Sequence, residues 1–389
     1  MQNINKATFF VTFLYFLIAL YYSFFLKVEP SGDENYFVNE FTRVGNTGLL
    51  ESIKDGISIP FVLLNYFPYK LLGTPGVRLM NVILTIIFLI YVYNKTRKIV
   101  FVGYVMFYMA TVIFFFRALN DTIFSLSLAF FFIESYFIVK EKSNPILGLS
   151  AIVIALFTRN VILIYAPLAL LVIFLIHKKI HLKKLILPSI IFFVFLMLNI
   201  PSLKENSMLS YDNKKPPEYV ESNWIQRQYL SQLYVNQGKL KSRQHVSWDV
   251  TDKYLKRNGQ NSLPSTSLKN LTFNINLTIK EFFKDVFYTF VYSVRQIGIS
   301  FLLLLLMFFK LKFKKKTSFE LKYKLTLFVY ALFVFSFIVI SNVELRWLAP
   351  IFLVILIPFK ENTYSRKVLI LNNVIFMLLS FYGAYKLLL

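Results

Sequence analysis

Apolar residues fall in long uninterrupted blocks, separated by short polar segments, from one end of this chain to the other. A helix needs roughly 20 apolar residues to cross the hydrocarbon of a bilayer. On that measure, spans are predicted at 9–26, 76–93, 99–116, 122–139, 145–157, 161–176, 185–200, 286–309, 325–341, 347–358 and 368–387. The pattern therefore predicts about 11 crossings, with those at 145–157, 161–176 and 347–358 short. The first follows a single Lys6 and lacks a small-residue cleavage site, so it is expected to remain as a transmembrane helix.

Between the first two spans the pattern changes. Phe37, Phe41 and Val44 recur at helical spacing with Glu40 and Arg43 between them, as in a helix lying in the membrane interface. The segment from Ile59 to Gly73 is apolar, bracketed by Pro and Gly and too short to cross comfortably, so it is expected to be re-entrant or interfacial.

The positions of Lys and Arg set an orientation, because short cytoplasmic loops hold the basic excess. Every second connection is basic: Lys95, Arg97 and Lys98; Lys140 and Lys142; Lys178, Lys179, Lys183 and Lys184; the lysines from Lys310 to Lys316 with Lys322 and Lys324; and Lys360, Arg366 and Lys367. The opposite connections are the segment from Val28 to Ile59, the turns 117–121, 158–160 and 342–346, and one long polar stretch, 201–285. The alternation predicts a cytoplasmic amino terminus. It also predicts three regions: an amino-terminal transmembrane module (1–200) whose first external loop is 28–75, an extracytoplasmic cap (201–285), and carboxy-terminal transmembrane helices (286–389).

Composition agrees. Of 389 residues, 57% are hydrophobic and only 16% charged, too few to cover a soluble domain of this size. The net charge of +23 would suggest nucleic acid for a soluble chain, but clustering between apolar runs assigns it to topology, and no nucleic-acid partner is expected. The absence of cysteine excludes disulfides, thiolate metal sites and Cys nucleophiles. Richness in Lys, Asn, Ile and Phe points to a low-GC bacterium and its cytoplasmic membrane.

Polar residues unexplained by topology collect on the predicted external face. Asp33 and Glu34 open the first loop, Arg117 ends the third span, Asp121 begins the fourth, Arg159 lies between the fifth and sixth, and Glu344 and Arg346 border the tenth. Charges at that depth are costly unless they pair or line a wet cavity. An external cavity holding both signs of charge is the candidate site. Each residue also has a plainer reading: Asp33 and Glu34 as a solvated loop pair, Asp121 as a helix cap, Arg159 and Arg346 as ties between helices. His177 and His181 have the i, i+4 spacing of a metal pair, but the lysines around them oppose a cation. The sequons at Asn270 and Asn276 carry little weight.

In their order and shared side, these features resemble the GT-C superfamily of integral-membrane glycosyltransferases, particularly the protein O-mannosyltransferases and the aminoarabinose transferases of lipid A. The resemblance rests on Asp33-Glu34, on Pro68-Tyr69-Lys70 through Gly73 with Arg78 to Asn81, on Asn120-Asp121-Thr122, on Thr158-Arg159-Asn160 and on Arg346-Trp347-Leu348-Ala349-Pro350. It spans the first 175 residues or so plus the late Arg motif. Arg159 stands where the family more often has Lys, and no large carboxy-terminal soluble domain follows.

The resemblance implies an all-α polytopic membrane protein, a GT-C-like bundle with external interfacial helices. It also implies transfer of a sugar from a polyprenyl-phosphate-linked donor to a lipid, glycan or protein acceptor at the extracytoplasmic face. Such chemistry needs a base for the acceptor hydroxyl and positive charge on the departing phosphate. Asp33 is the expected base, with Glu34 as its substitute and Asp121 orienting the acceptor. Arg159 is the expected phosphate clamp, since a guanidinium stays charged and holds two oxygens. Arg346 and Arg117 are expected to assist, and Tyr36, Tyr69 and Lys70 to line the donor site. No cofactor is assigned; a hard divalent cation such as Mg2+ would suit separated carboxylates but has no assigned ligands. Aromatics in 201–285 suit either sugar stacking or a membrane-interface cover. A polymerase or ligase of diphosphate-linked glycans, and less so a lipid-linked sugar transporter or flippase, are the alternatives.

Overall fold

The computed structural model describes residues 2–26, 29–213, 215, 219–242, 244–313, 319–338, 343–359 and 366–388. All regular structure among them is helical. The basic cluster at Lys314 to Lys316, Lys360, the turn residue Asn342 and, within the stretch 201–285, residues 214, 216–218 and 243 lie outside the described residues. The helices are α1 (Gln2–Tyr21), α2 (Glu34–Thr47), α3 (Leu49–Asp55), α4 (Ile59–Leu72), α5 (Thr74–Thr96), α6 (Ile99–Thr111), α7 (Asp121–Val139), α8 (Pro145–Thr158), α9 (Ile162–Ile176), α10 (Ile186–Leu198) and α11 (Ile200–Asn206). They continue as α12 (Trp224–Asn236), α13 (Trp248–Asn258), α14 (Ser267–Phe273), α15 (Ile275–Ile297), α16 (Ser300–Phe313), α17 (Phe319–Ile338), α18 (Ala349–Leu356) and α19 (Arg366–Leu388).

Among the described residues, five helices are long and apolar enough to cross a membrane, or seven if each of two bent pairs counts as one, and three further apolar helices are shorter. The chain is thus an all-helical, membrane-embedded protein. Two predicted spans need correction. The run 99–116 is helical only to Thr111, and α6, with 13 residues, is about 20 Å long against a hydrocarbon thickness of about 30 Å. Beyond it, Phe114, Phe115 and Phe116 stay buried in a short 3-10 turn entered through Ile113 at φ +29°, a strained value for a β-branched residue. Asn81 of α5 pins the turn by donating from Nδ2 to the carbonyls of Arg117 (2.6 Å) and Leu119 (3.1 Å). The run 286–309 is not one helix either: α15 ends at Ile297 and α16 restarts at Ser300, with Gly298 between them at φ +58°.

Contacts divide the chain into two compact units, one comprising Met1–Asn213, Ser293–Phe328 and Arg346–Leu389, the other Lys214–Tyr292 and Val329–Leu345. In the first, the almost wholly buried α7 packs antiparallel to α8 and against α5, α9 and α18. The amphipathic α2 buries Phe37 and Phe41 against Phe61 of α4, so its apolar stripe is covered by protein. Helix α19 returns across α1 and α6. There Asn373 donates to Thr8 Oγ1 (2.7 Å) and Tyr104 to the carbonyl of Leu369 (2.7 Å), polar ties between apolar helices.

Gly383 lets α19 approach α6 at backbone distance: a Cβ there would meet the carbonyl oxygen of Ala110 at 2.2 Å. Gly383→Ala should therefore destabilise the protein by about 1–3 kcal/mol, read as a lowered melting midpoint in detergent. An unchanged midpoint would refute this close crossing.

The second unit holds a core of Tyr229, Leu230, Val246, Leu255, Leu263 and Leu277, and α12 starts with a reciprocal capping box between Asn223 and Gln226. Tyr229 and Trp248 are buried, Trp248 beneath Arg227 (4.9 Å), which leaves Trp224 as the exposed tryptophan of that stretch.

Candidate functional site

Six chain segments of the first unit contribute paired charged side chains: the start of α2, the beginning of α5, the turn after α6, the first turn of α7, the residue after α8 and the turn before α18. Asp33 precedes α2 in helical conformation, and its carboxylate makes no cap bond to the helix. Instead Arg346 donates from Nη2 to Asp33 Oδ2 at 2.8 Å. The Arg346 Nη1 lies 3.6 Å from Oδ2 of Asp121, and Asp121 Oδ1 accepts from Arg159. The sequence Asp33, Arg346, Asp121, Arg159 is thus a continuous chain of alternating charge.

The outer pair is far more exposed than the inner pair. The Asp33 side chain is 36% exposed and Arg346 21%, whereas Asp121 and Arg159 are 3% and 7%. The outer members can be reached from solvent; the inner ones are buried. Buried Arg159 keeps an Nε donor that has no hydrogen-bond partner, which is uncommon for a buried polar atom. Asn120, whose Nδ2 donates to Thr158 O and Asp212 Oδ1 (both 3.4 Å), likewise has an unpartnered buried Oδ1.

Glu34, one residue from Asp33, is wholly buried. Arg78 grips it with two bonds, Nε to Oε1 (2.9 Å) and Nη2 to Oε2 (2.8 Å). The backbone N–H of Ala118 donates to Oε1 (2.7 Å), that of Ser31 to Oε2 (3.2 Å), and Arg117 Nη2 to Oε2 (3.3 Å). Burial alone would raise its pKa, but the hydrogen bonds and charge of Arg78, the Ala118 N–H and the charge of Arg117 outweigh it and hold the carboxyl below its usual range. Five donors on one carboxylate leave Glu34 no lone pair to offer a substrate. It positions the loop: Arg117 Nη2 also reaches the carbonyl (2.5 Å) and hydroxyl (2.9 Å) of Ser31, which ties the Ser31 to Glu34 turn to the segment after α6.

The remaining sequence candidates separate. Tyr36 is exposed in the first turn of α2. Tyr69 stacks on Phe41 (4.9 Å) and bonds Thr42, while Lys70 lies over the ring of Tyr66 (5.2 Å); both engage α2 and α4 rather than the charged cluster. Two residues not singled out as site members prove central. Arg78, buried and stacked over Tyr22 (4.7 Å), carried two signals, an arginine inside a predicted span and its place in the motif from Arg78 to Asn81. Asn81, one turn further on, carried only that motif and its polarity. Among the described residues no group of three or more His, Asp or Glu is placed to hold a metal ion.

Compared with protein-family models, with curated proteins and with solved structures, the chain matches none of them.

Proposed function

We propose that this protein is a GT-C-type membrane glycosyltransferase that moves a sugar from a polyprenyl-phosphate-linked donor to an acceptor at the extracytoplasmic face. The single observation carrying the reading is the alternating chain Asp33, Arg346, Asp121 and Arg159, which sets a reachable carboxylate beside two guanidiniums. A carboxylate and an arginine cluster are the two groups that glycosyl transfer from a lipid phosphate requires. In this reading Asp33 accepts the proton of the acceptor hydroxyl as that oxygen bonds to the anomeric carbon. The bond from this carbon to the phosphate oxygen breaks, its electron pair leaves with the phosphate, and the anomeric centre inverts. Arg346 receives the departing charge with Arg159 behind it, while Asp121 keeps both guanidiniums aimed. Because Arg346 is shared between Asp33 and Asp121, an arriving phosphate competes for it and frees the Asp33 lone pair.

The test is transfer by the purified protein in proteoliposomes, with a panel of radiolabelled polyprenyl-phosphate sugars and extracted envelope lipids and glycans as acceptors. Label should move to an acceptor, and Arg346→Gln should slow that movement by about 10²–10³-fold, the effect of removing one donor to a developing anion. Lipid scrambling or uptake without a glycosyl product would overturn the reading in favour of transport. Extension of a diphosphate-linked glycan that tolerates Asp33→Asn would overturn it in favour of a polymerase.

A further inference from the structure

The 14 residues of α8 separate Arg159 from the opposite end of the helix by about 20 Å. At that opposite end the chain builds a second charged feature, to which the proposed transfer makes no reference. A cavity of about 730 Å³ opens there, lined by Lys142 and Glu141 from the turn after α7 and by Lys178, Lys179, His181 and Lys184 from the segment after α9. Its size falls within the range of about 300–1,000 Å³ typical of small-molecule sites.

The lining is electrostatically unbalanced. It holds four lysines and one glutamate, three positive charges in excess. The Glu141 carboxylate is already taken by Lys179. Lys142, Lys178 and Lys184 make no ion pair with any described residue. The other carboxylate near this end, Glu134, is buried and engaged by Lys95 (2.9 Å), Tyr91 and Ser143, so it too is spent. Basic loops follow from topology alone, but topology does not ask two loops 40 residues or so apart to close around one hollow. Lys183, equally basic, is not part of the lining.

The surroundings say what kind of anion fits. Leu147 on the first turn of α8, Phe174 on the last of α9, Leu182 in the segment before α10 and Ile186 at the start of α10 are all exposed, Leu182 by 83%. They lie close in sequence to the lining residues Pro145, Lys178, His181 and Lys184, and they are apolar surfaces of the kind acyl chains cover. Soluble phosphate has no use for them; a lipid has use for both.

We infer that this cavity binds the phosphate headgroup of an anionic phospholipid, with Lys142, Lys178 and Lys184 on the headgroup and the exposed apolar flank on the acyl chains. Basic pockets between membrane helices are suited to such headgroups. The site lies at the far end of α8 from Asp33 and Arg159 and stands whether or not the transfer reaction is as proposed.

The experiment is native mass spectrometry of the full-length protein released from nanodiscs containing equal phosphatidylglycerol and phosphatidylcholine. Phosphatidylglycerol should be retained preferentially, and the triple variant Lys142→Gln/Lys178→Gln/Lys184→Gln should retain about tenfold less or fewer still, with phosphatidylcholine unchanged. In the unaltered protein, a photoreactive phosphatidylglycerol should crosslink within 140–147 or 174–186, a readout independent of how the variant folds. Equal retention of phosphatidylglycerol by the variant, or crosslinks confined to other segments, would overturn the inference. So would displacement of the bound lipid by millimolar inorganic phosphate, which would assign the hollow to a soluble anion.

Discussion

Asp33→Asn is expected to reduce glycosyl transfer by about 10²–10⁴-fold, the usual worth of a general base, in a protein that still folds. Both halves follow from the same geometry. The Asp33 side chain is 36% exposed and makes no cap bond to α2, so an isosteric amide there removes no cap from the helix. Asparagine keeps an oxygen for Arg346 but has no charge with which to take a proton. The expected signature is an unchanged melting midpoint and retained donor binding, together with loss of labelled product. Full transfer by the asparagine variant would remove Asp33 from the chemistry. Loss of the fold would make it a structural residue instead.

Glu34→Gln should do the reverse and cost about 3–5 kcal/mol of stability, because removing one partner of a buried pair leaves the other charge uncompensated. Here the stranded group is Arg78, buried completely, and Arg117 loses a partner with it. Chain accumulation in the membrane and the melting midpoint in detergent both check this. The double variant Glu34→Leu/Arg78→Met should recover part of the loss, since a buried ion pair can be replaced by apolar groups at small cost when both halves go together. A Glu34→Gln protein as stable as its parent would show that the five donors contribute nothing net.

The same carboxylate predicts acid lability of definite sign. Its folded-state pKa lies below the ordinary value of 4.5. The unfolded chain therefore takes up a proton at a pH where the folded one does not. The stabilisation is complete above that ordinary value and is lost as pH falls from it through the lower folded pKa. Melting midpoints of Glu34→Gln should lack this part of the acid decline.

The contrast between neighbours shows how much of the site was legible. That Asp33 and Glu34 stand together after a long apolar run is read directly from the sequence. Which of the two is buried and which is left reachable is not, because adjacent residues on a helix point about 100° apart and the partners that decide it lie on other elements. Arg346 is 313 positions from Asp33; Arg78 reaches Glu34 across 44. Tyr69 and Lys70 share a plausible motif yet spend their contacts on α2 and α4. The truncation of α6 was equally hidden, since Phe114, Phe115 and Phe116 are apolar enough to continue a span. Asn81 holds the carbonyls of Arg117 and Leu119 just beyond the turn, a contact from another helix that the apolar run does not encode.

What local composition determined is the helical, lipid-solvated character of the chain and the gathering of its scattered charges at segment ends. Apolar length and charge spacing are properties of consecutive residues, and the bilayer acts on them one segment at a time. What only the tertiary structure decided is the pairing: one acidic side chain sealed beneath two arginines and its neighbour left reachable, and two lysine-bearing loops folded around one hollow. Ion pairs and cavities depend on side-chain direction across elements far apart in the chain, and hydrophobic patterning specifies neither.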